Sequence, residues 1–130
     1  MIRTGQVQQA CHWQAAIIDL DGTLVDTVGD FDAALNAILA DLRLPGVDRE
    51  FIARTVGQGS AHLIRNTLAQ VGADPGLAEQ AWQHYQRHYL AVNGQFSAVY
   101  PGVVEGLARL QGAGLKLACV TNKPGNFAWP

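Results

Sequence analysis

The chain has 130 residues, 48% of them hydrophobic and 15% charged, which is the length and composition of one folded domain with a modest core. Its formal net charge of −2 and the lack of a basic cluster argue against binding to nucleic acid or to a membrane surface. No apolar run is long enough to span a bilayer. The two cysteines, Cys11 and Cys119, require no disulfide, so we expect a cytoplasmic protein in which Cys119 is a small core residue.

The first structural signal follows a polar segment, residues 1–14, which we interpret as a loose leader without the apolar centre of a signal peptide. The apolar run Ala15–Ile18 predicts a buried parallel strand. It ends in Asp19 and Asp21, which project to the same side because strand side chains alternate. Gly22 permits a sharp exit, although these residues could also form an ordinary turn or a helix cap. Two acids at the end of a buried strand repel each other, so the sequence predicts a bound cation, and oxygen ligands favour Mg²⁺ held with water and substrate phosphate.

Residues 27–95 carry apolar side chains at three- and four-residue spacing, which predicts a group of helices without strands. The boundaries of these helices are predicted from capping and turn residues: Pro45, Asp48, Ser60 and Gly72. Beyond them the pattern predicts a further helix after Pro101-Gly102, a second buried strand over 115–121 and the start of a last helix at Pro124.

Residues 19–26, with the sequence DLDGTLVD, resemble the first motif of the haloacid dehalogenase-like phosphatase superfamily, in its phosphoglycolate phosphatase-like branch. The resemblance covers residues 14–130. It implies an α/β fold with a Rossmann-like core of parallel strands, formed by 15–26 and 97–130 and incomplete in this chain. An all-helical cap domain, residues 27–96, would be inserted directly after the first motif.

The resemblance assigns chemical roles to the first motif. Asp19 would be the nucleophile that attacks phosphorus and forms an aspartyl-phosphate. Asp21 would be the general acid for the leaving alcohol and then the general base for the attacking water. Mg²⁺ would be bound by the Asp19 carboxylate and the Asp21 backbone carbonyl. Gly22 and Thr23 would shape the phosphate pocket with backbone N–H groups.

Thr121 and Asn122, at the end of the second predicted strand, resemble the second motif of the family. There a threonine hydroxyl and the next backbone N–H bind the transferring phosphoryl group. A strand end that leads into a helix is an anion site on physical grounds as well, although the same residues could simply cap the helix. Lys123 is not assigned the catalytic role, because the family's catalytic lysine comes from a later segment.

Two further groups of residues are weaker candidates. Gly57, Gln58 and Gly59 resemble the substrate-specificity loop of the branch, whose backbone N–H groups would bind a small carboxylate, but an ordinary helix connection explains these glycines equally well. His84 and His88 are four residues apart on one predicted helix, a spacing that is compatible with metal binding. No cysteine or carboxylate completes that set, so no metal site is predicted there.

The function implied by the resemblance is Mg²⁺-dependent hydrolysis of a small phosphorylated acid such as 2-phosphoglycolate. The family also requires a lysine from a segment later than Lys123 and an acidic pair at the end of another strand, and we expect this chain to stop before either. We therefore expect a C-terminally truncated chain that is inactive or nearly so alone and that can associate with itself through open sheet edges. The alternatives are another sugar-phosphate phosphatase or phosphomutase of the same fold, or a non-catalytic fragment that only associates.

Overall fold

A computed structural model describes residues 12–129, so most of the expected leader lies outside the described residues. The strands are β1 (Ala15–Ile18), β2 (Val25–Asp26), β3 (Ala98–Val99) and β4 (Lys116–Cys119). The helices are α1 (Val28–Asp41), α2 (Arg49–Thr55), α3 (Ser60–Gln70), α4 (Ala78–Val92), α5 (Val103–Gly112) and α6 (Gly125–Ala128), with a 3-10 turn at Pro75–Leu77. Within the described part of the chain, no helix combines the length and the apolar character that crossing a membrane requires.

The two predicted strands pair with each other. β1 and β4 are parallel, with Ala15 opposite Lys116 and Ile18 opposite Cys119. Because parallel strands need a long crossover connection, this pairing confirms the predicted α/β arrangement. β2 and β3 form a separate antiparallel ribbon of two residues each, which the sequence pattern did not indicate.

The parallel pair is not buried, and this part of the sequence prediction is wrong. Ile17 is 73% exposed. Cys119, which we expected in the core, is also exposed. A parallel strand is buried only where other elements cover both faces. In residues 12–129 the sheet has only two strands, and the helix that packs against β4 is α5.

The main hydrophobic core lies among the helices between β2 and β3. α1 packs antiparallel against α4, and α2 and α3 pack alongside them. The apolar stripes predicted for these helices supply this core: Phe31, Leu35, Ile38, Leu63, Ile64, Leu68, Ala81, Tyr85 and Tyr89 are all buried. The division into a core (15–26 and 97–130) and a cap (27–96) stays a prediction.

The helix caps agree with the sequence in one case and differ in another. The Asp48 carboxylate accepts a hydrogen bond from the Phe51 N–H at 2.7 Å and caps α2, as predicted. Ser60 does not cap α3, because the N-cap residue is Gly59 and Ser60 is the first helical residue. Its hydroxyl instead lies 3.5 Å from the Tyr85 hydroxyl in the core.

A buried carboxylate ties the first turn of α1 to the segment that follows α4. Asp30 is fully buried. Its Oδ2 accepts from the Gly94 N–H at 2.8 Å and its Oδ1 from the Phe96 N–H at 2.7 Å. The neighbouring Gly29 allows this close approach, since a Cβ there would overlap the Phe96 carbonyl oxygen and lie 2.8 Å from the Phe96 Cβ.

Replacing Gly29 by alanine is therefore expected to destabilise the fold by about 1–3 kcal/mol, the usual cost of overpacking a closed site. Gly106 in α5 is the matched control, because a Cβ there meets nothing within 4 Å. Gly106→Ala should stabilise the fold by about 0.5–1 kcal/mol through helix propensity. The free energy of unfolding, measured in urea, checks both. Equal effects of the two substitutions would contradict the packing described.

The segment after β4 is fixed against α4 by one aromatic residue. Phe127 in α6 is 2% exposed. Its ring centroid lies 4.9 Å from that of Tyr89 and 5.8 Å from that of Tyr85. The Asn93 side chain donates to the Phe127 carbonyl oxygen at 2.8 Å. These contacts hold the residues between β4 and α6 beside the helical segment.

Candidate active site

A small cavity lies where β1 and β4 end. Five residues at the strand ends line it: Asp19, Asp21, Thr121, Asn122 and Lys123. Six residues of the helical segment complete the lining: Phe31, Val56, Gly57, Gly59, Ser60 and Leu63. The carboxyl ends of both parallel strands thus meet one loop of the helical segment. The free volume is about 20 Å³, room for one water-sized group.

The two acids of the first motif differ in their surroundings. Asp19 is exposed to solvent, so its carboxylate is accessible to a phosphate ester or a cation. The Asp21 side chain is only 10% exposed, and its Oδ1 lies 3.3 Å from Nζ of Lys123, whose side chain is 6% exposed. This buried ion pair offsets the repulsion between the two carboxylates.

Lys123 connects the acid pair to the helical core. Its Nζ donates to the Tyr89 hydroxyl at 2.5 Å and lies 4.9 Å from the centroid of the Tyr89 ring. The Phe31 ring lies on the same ammonium group, at 5.5 Å. Burial raises the pKa of the Tyr89 hydroxyl well above its ordinary value, so Tyr89 keeps its proton while it accepts this hydrogen bond. Sequence reasoning gave Lys123 no role. The sequence feature that could have indicated this role is the position of Lys123, a single cationic residue two positions after Thr121.

The glycine loop contacts the second motif directly. The Asn122 side chain donates to the Gly57 carbonyl oxygen at 2.8 Å. A Cβ at Gly59 would lie 3.5 Å from the Asn122 carbonyl oxygen. Gly57 and Gly59 have backbone φ angles of 122° and 87°. Residues other than glycine rarely adopt these angles, so the loop needs glycine at both positions. The Thr121 hydroxyl accepts from the Lys123 N–H at 3.1 Å.

Three candidate residues do not line the cavity: Gly22, Thr23 and Gln58. The Gly22 N–H donates to the Val25 carbonyl oxygen at 2.8 Å, and the Thr23 N–H donates to the Leu20 carbonyl oxygen at 3.2 Å. In this structure both N–H groups are thus satisfied within their own turn, which differs from the expectation that they face the phosphate. Gln58 is exposed at the tip of the loop.

The donors at the cavity match part of a Mg²⁺ site. Asp19 and Asp21 offer the hard oxygen ligands that Mg²⁺ prefers. Asp19 is accessible, whereas the carboxylate of Asp21 is paired with Lys123. Among residues 12–129 no third carboxylate lines the cavity. The described residues therefore fit Mg²⁺ in donor type but form an incomplete set.

A separate cluster overturns the expectation that no carboxylate accompanies the two histidines of α4. Asp41, the last residue of α1, lies between them. Its Oδ2 is 2.9 Å from Nδ1 of His84 and 2.7 Å from Nε2 of His88. Asp41 is 43 residues from His84 in the sequence, so only the antiparallel packing of α1 and α4 brings them together.

The cluster makes stability depend on pH. Hydrogen bonds from His88 and then His84 lower the pKa of the Asp41 carboxyl below its ordinary value of 3.8. Arg87 is the other charged group that faces it, at 3.7 Å. This stabilisation is present above the unfolded-state pKa and is lost as the pH falls through the lower folded-state pKa.

The urea midpoint of Asp41→Asn is therefore expected to lie below that of the parent near neutral pH, and the two should converge below a pH of about 3.8. The measurement is a set of urea titrations with EDTA present, from neutral pH to the acid limit of the folded state. Glu105→Gln on α5 is the control, because Glu105 forms no ion pair within the described chain. A difference that is constant across the acid range would contradict the assignment.

Comparison with known proteins identifies the family to which the chain belongs. The sequence profile described as haloacid dehalogenase-like hydrolase matches residues 16–129. The chain therefore belongs to the haloacid dehalogenase-like hydrolase family.

Individual relatives are similar over most of the chain. A plasmid-encoded phosphoglycolate phosphatase of Cupriavidus necator is 44% identical over 117 residues, which cover 89% of this chain and 51% of that protein. A phosphoglycolate phosphatase of Pseudomonas syringae pv. syringae is 42% identical over 118 residues, which cover 88% of this chain and 43% of that protein. The chain thus spans about half the length of the curated relatives it matches.

Solved structures show the same fold. A crystal structure from Haemophilus somnus, described as a predicted phosphoglycolate phosphatase, is 30% identical with a TM-score of 0.72, covering 88% of this chain and 53% of that one. A structure from Lactobacillus delbrueckii subsp. bulgaricus is 24% identical with a TM-score of 0.82. The match covers 88% of this chain and 57% of that one.

Proposed function

We propose that this chain carries the nucleophile and the phosphoryl-binding part of a phosphomonoester hydrolase of the phosphoglycolate phosphatase type. The observation that carries the proposal is that Asp19 and Thr121, from the ends of two parallel strands, line one cavity. An accessible carboxylate beside a hydroxyl at a strand-to-helix junction suits nucleophilic attack on a bound phosphoryl group.

In the proposed reaction an Asp19 oxygen forms a bond to phosphorus while the bond to the leaving alcohol oxygen breaks. Asp21 gives its proton to that oxygen and later takes a proton from the water that hydrolyses the aspartyl-phosphate. Thr121 and Asn122 hold the phosphoryl oxygens. Mg²⁺, bound by the Asp19 carboxylate and the Asp21 carbonyl, would neutralise charge between nucleophile and phosphate.

The cavity must open for this chemistry. Asp19 can be reached from solvent, but a free volume of about 20 Å³ is too small for a phosphate ester to contact Asp19 and Thr121 together. Lys123 must also leave Asp21, which it contacts at 3.3 Å, before that carboxyl can exchange protons with substrate. We propose that the helical segment moves away from the strand ends, which breaks the contacts of Lys123 and of the Gly57 loop together.

The proposed substrate is a small phosphorylated acid such as 2-phosphoglycolate, which the names of the relatives support. Its carboxylate would be bound by backbone N–H groups of Gly57, Gln58 and Gly59. The proposed location is the cytoplasm, in keeping with the free thiol of Cys119.

A hybrid enzyme tests the proposal. In it, residues 1–129 are followed by the part of the Cupriavidus necator phosphatase that lies beyond its match to this chain. With Mg²⁺ the hybrid should release phosphate from 2-phosphoglycolate faster than from a sugar phosphate, and the 130-residue chain alone should release it near the background rate. A folded hybrid without phosphatase activity would overturn the proposal, and equal rates on both substrates would favour the broader phosphatase or phosphomutase alternative.

The exposed sheet favours a second property, self-association of the chain. Ile17 on β1, Val120 after β4 and Val104 on α5 are 73%, 61% and 68% exposed. We propose that a second copy covers this apolar surface, because burial of such area is favourable and, among residues 12–129, no strand pairs with the outer edge of β1 or β4.

Light scattering is expected to give a mass above the 13.9 kDa of one chain. Ile17→Asp should shift the mass towards the monomer, because a charge cannot be buried unpaired in an apolar contact. Leu90→Asp is the control, since Leu90 is 54% exposed but lies on α4, away from the sheet. A monomeric parent chain would contradict this proposal.

A further inference from the structure

The cluster of Asp41, His84 and His88 stands apart from the cavity at the strand ends, and none of its members lines that cavity. One ligand atom from each residue lies within 4.8 Å of the other two. Because α4 places residues four apart on the same face, both imidazoles point towards the end of α1. We propose that this cluster is a binding site for one transition-metal ion of the Zn²⁺ class, and this proposal does not depend on the proposed phosphatase function.

The donor set selects the metal. Two imidazole nitrogens and one carboxylate oxygen suit Zn²⁺, Co²⁺ and Ni²⁺, whereas Mg²⁺ and Ca²⁺ prefer oxygen donors alone. Three protein ligands also leave one position of a tetrahedral ion for water. The site is therefore chemically distinct from the carboxylate pair at Asp19 and Asp21.

The three ligand atoms must rearrange to take up an ion. Zn²⁺ binds nitrogen and oxygen at roughly 2.0–2.2 Å, which places tetrahedral ligand atoms about 3.4 Å apart. The Asp41 oxygen now lies 2.9 and 2.7 Å from the two imidazole nitrogens. The Asp41 oxygen would move away from both nitrogens to admit the ion, and its side chain can do so because it is 37% exposed and ends a helix.

The proton balance is also simple. His84 would bind through Nδ1 and keep a proton on Nε2, and His88 would bind through Nε2 and keep a proton on Nδ1. Because these two nitrogens donate to Asp41 in this structure, each neutral ring must first move its proton to its other nitrogen, with no net loss of a proton. The histidine side chains are 24% and 28% exposed, so an ion can reach them from solvent.

Arg87 competes with the ion. Its Nη2 lies 3.0 Å from Nδ1 of His84 and 3.7 Å from the Asp41 carboxylate, where it supplies the positive charge that a metal would bring. Its side chain is 68% exposed and can turn into solvent. Removing this guanidinium should therefore tighten metal binding, an effect that a purely structural ion-pair cluster would not show.

Calorimetric titration of the 130-residue chain with Zn²⁺, paired with the visible absorption of Co²⁺, tests the proposal. We expect one ion per chain, bound at least about tenfold more weakly by His84→Gln, His88→Gln and Asp41→Asn. His62→Gln on α3 is the matched control and should bind as the parent does, while Arg87→Gln should bind more tightly. Zn²⁺ should also raise the melting temperatures of the parent and of His62→Gln. It should not raise those of His84→Gln, His88→Gln and Asp41→Asn.

Either of two results from the parent and the histidine variants would overturn the proposal. One is no binding of Zn²⁺ or Co²⁺ by the parent chain. The other is binding that persists unchanged when His84 or His88 is replaced, which would assign the ion to another site. Circular dichroism without metal checks that each variant is folded. If a histidine or aspartate variant does not fold, Arg87→Gln still tests the proposal. Unchanged or weaker Zn²⁺ binding by Arg87→Gln would also overturn it.

Discussion

Replacing Asp19 by asparagine is expected to abolish phosphate release by the hybrid enzyme, with a loss in kcat of at least about a thousandfold. Asparagine has nearly the same shape but is not a nucleophile, so no aspartyl-phosphate can form. Asp19 is exposed, and its substitution should leave the free energy of unfolding almost unchanged. The measurement is the initial rate of phosphate release together with a urea titration of each variant.

Two further substitutions calibrate this result. Asp21→Asn should lower kcat by roughly 10²–10⁴-fold, the usual contribution of general acid–base catalysis. Asp74→Asn is the control, because Asp74 caps the exposed 3-10 turn and asparagine caps equally well. An Asp19→Asn hybrid that keeps more than a tenth of the parent rate would remove the proposed nucleophile.

Replacing Lys123 by methionine is expected to lower the free energy of unfolding by about 3–5 kcal/mol. Methionine keeps most of the packing on the Phe31 and Tyr89 rings but leaves the Asp21 carboxylate, only 10% exposed, without its cation. A buried charge that loses its partner cannot recover its hydration. Urea unfolding followed by circular dichroism checks the change.

The chain offers a matched control in Lys116, its other lysine, which is exposed on β4. Lys116→Met should change the unfolding free energy by less than about 0.5 kcal/mol. The double variant Asp21→Asn with Lys123→Met should be more stable than the sum of the single effects, by about 1–3 kcal/mol. If the two single effects were simply additive, the ion pair would not account for the cost.

The helical elements could be predicted because their signals are local. Phe31, Leu35 and Ile38 recur at helical spacing and are buried by α4, which has its own stripe. Asp48 caps α2 through an N–H three residues away, a contact fixed by the helix itself. Such features depend on residues close in sequence or on faces that the periodicity defines.

The misassigned residues depend on partners that no local pattern specifies. Ile17 and Cys119 lie in strands whose apolar composition is typical of buried strands. Both residues are exposed, because burial depends on which elements cover the sheet. Asp41 completes the histidine cluster only through the packing of α1 on α4.

The cavity itself was predictable in part. The positions of Asp19 and Thr121 followed from two strands whose carboxyl ends lie at one edge of a parallel sheet. The contact of Lys123 with Asp21 was not, because it depends on the docking of α6 and α4. For Gly22 and Thr23 the structure differs from the expectation, because the turn that they form uses their N–H groups.

The most direct test of the account is to locate the phosphoryl group on the enzyme during turnover. The hybrid is mixed with 2-phosphoglycolate and Mg²⁺, treated at once with borohydride, which reduces an acyl phosphate to an alcohol, and digested for mass spectrometry. We expect homoserine at position 19 and none in the Asp19→Asn variant. Reduction at another carboxylate, or steady hydrolysis with no modified residue, would contradict it.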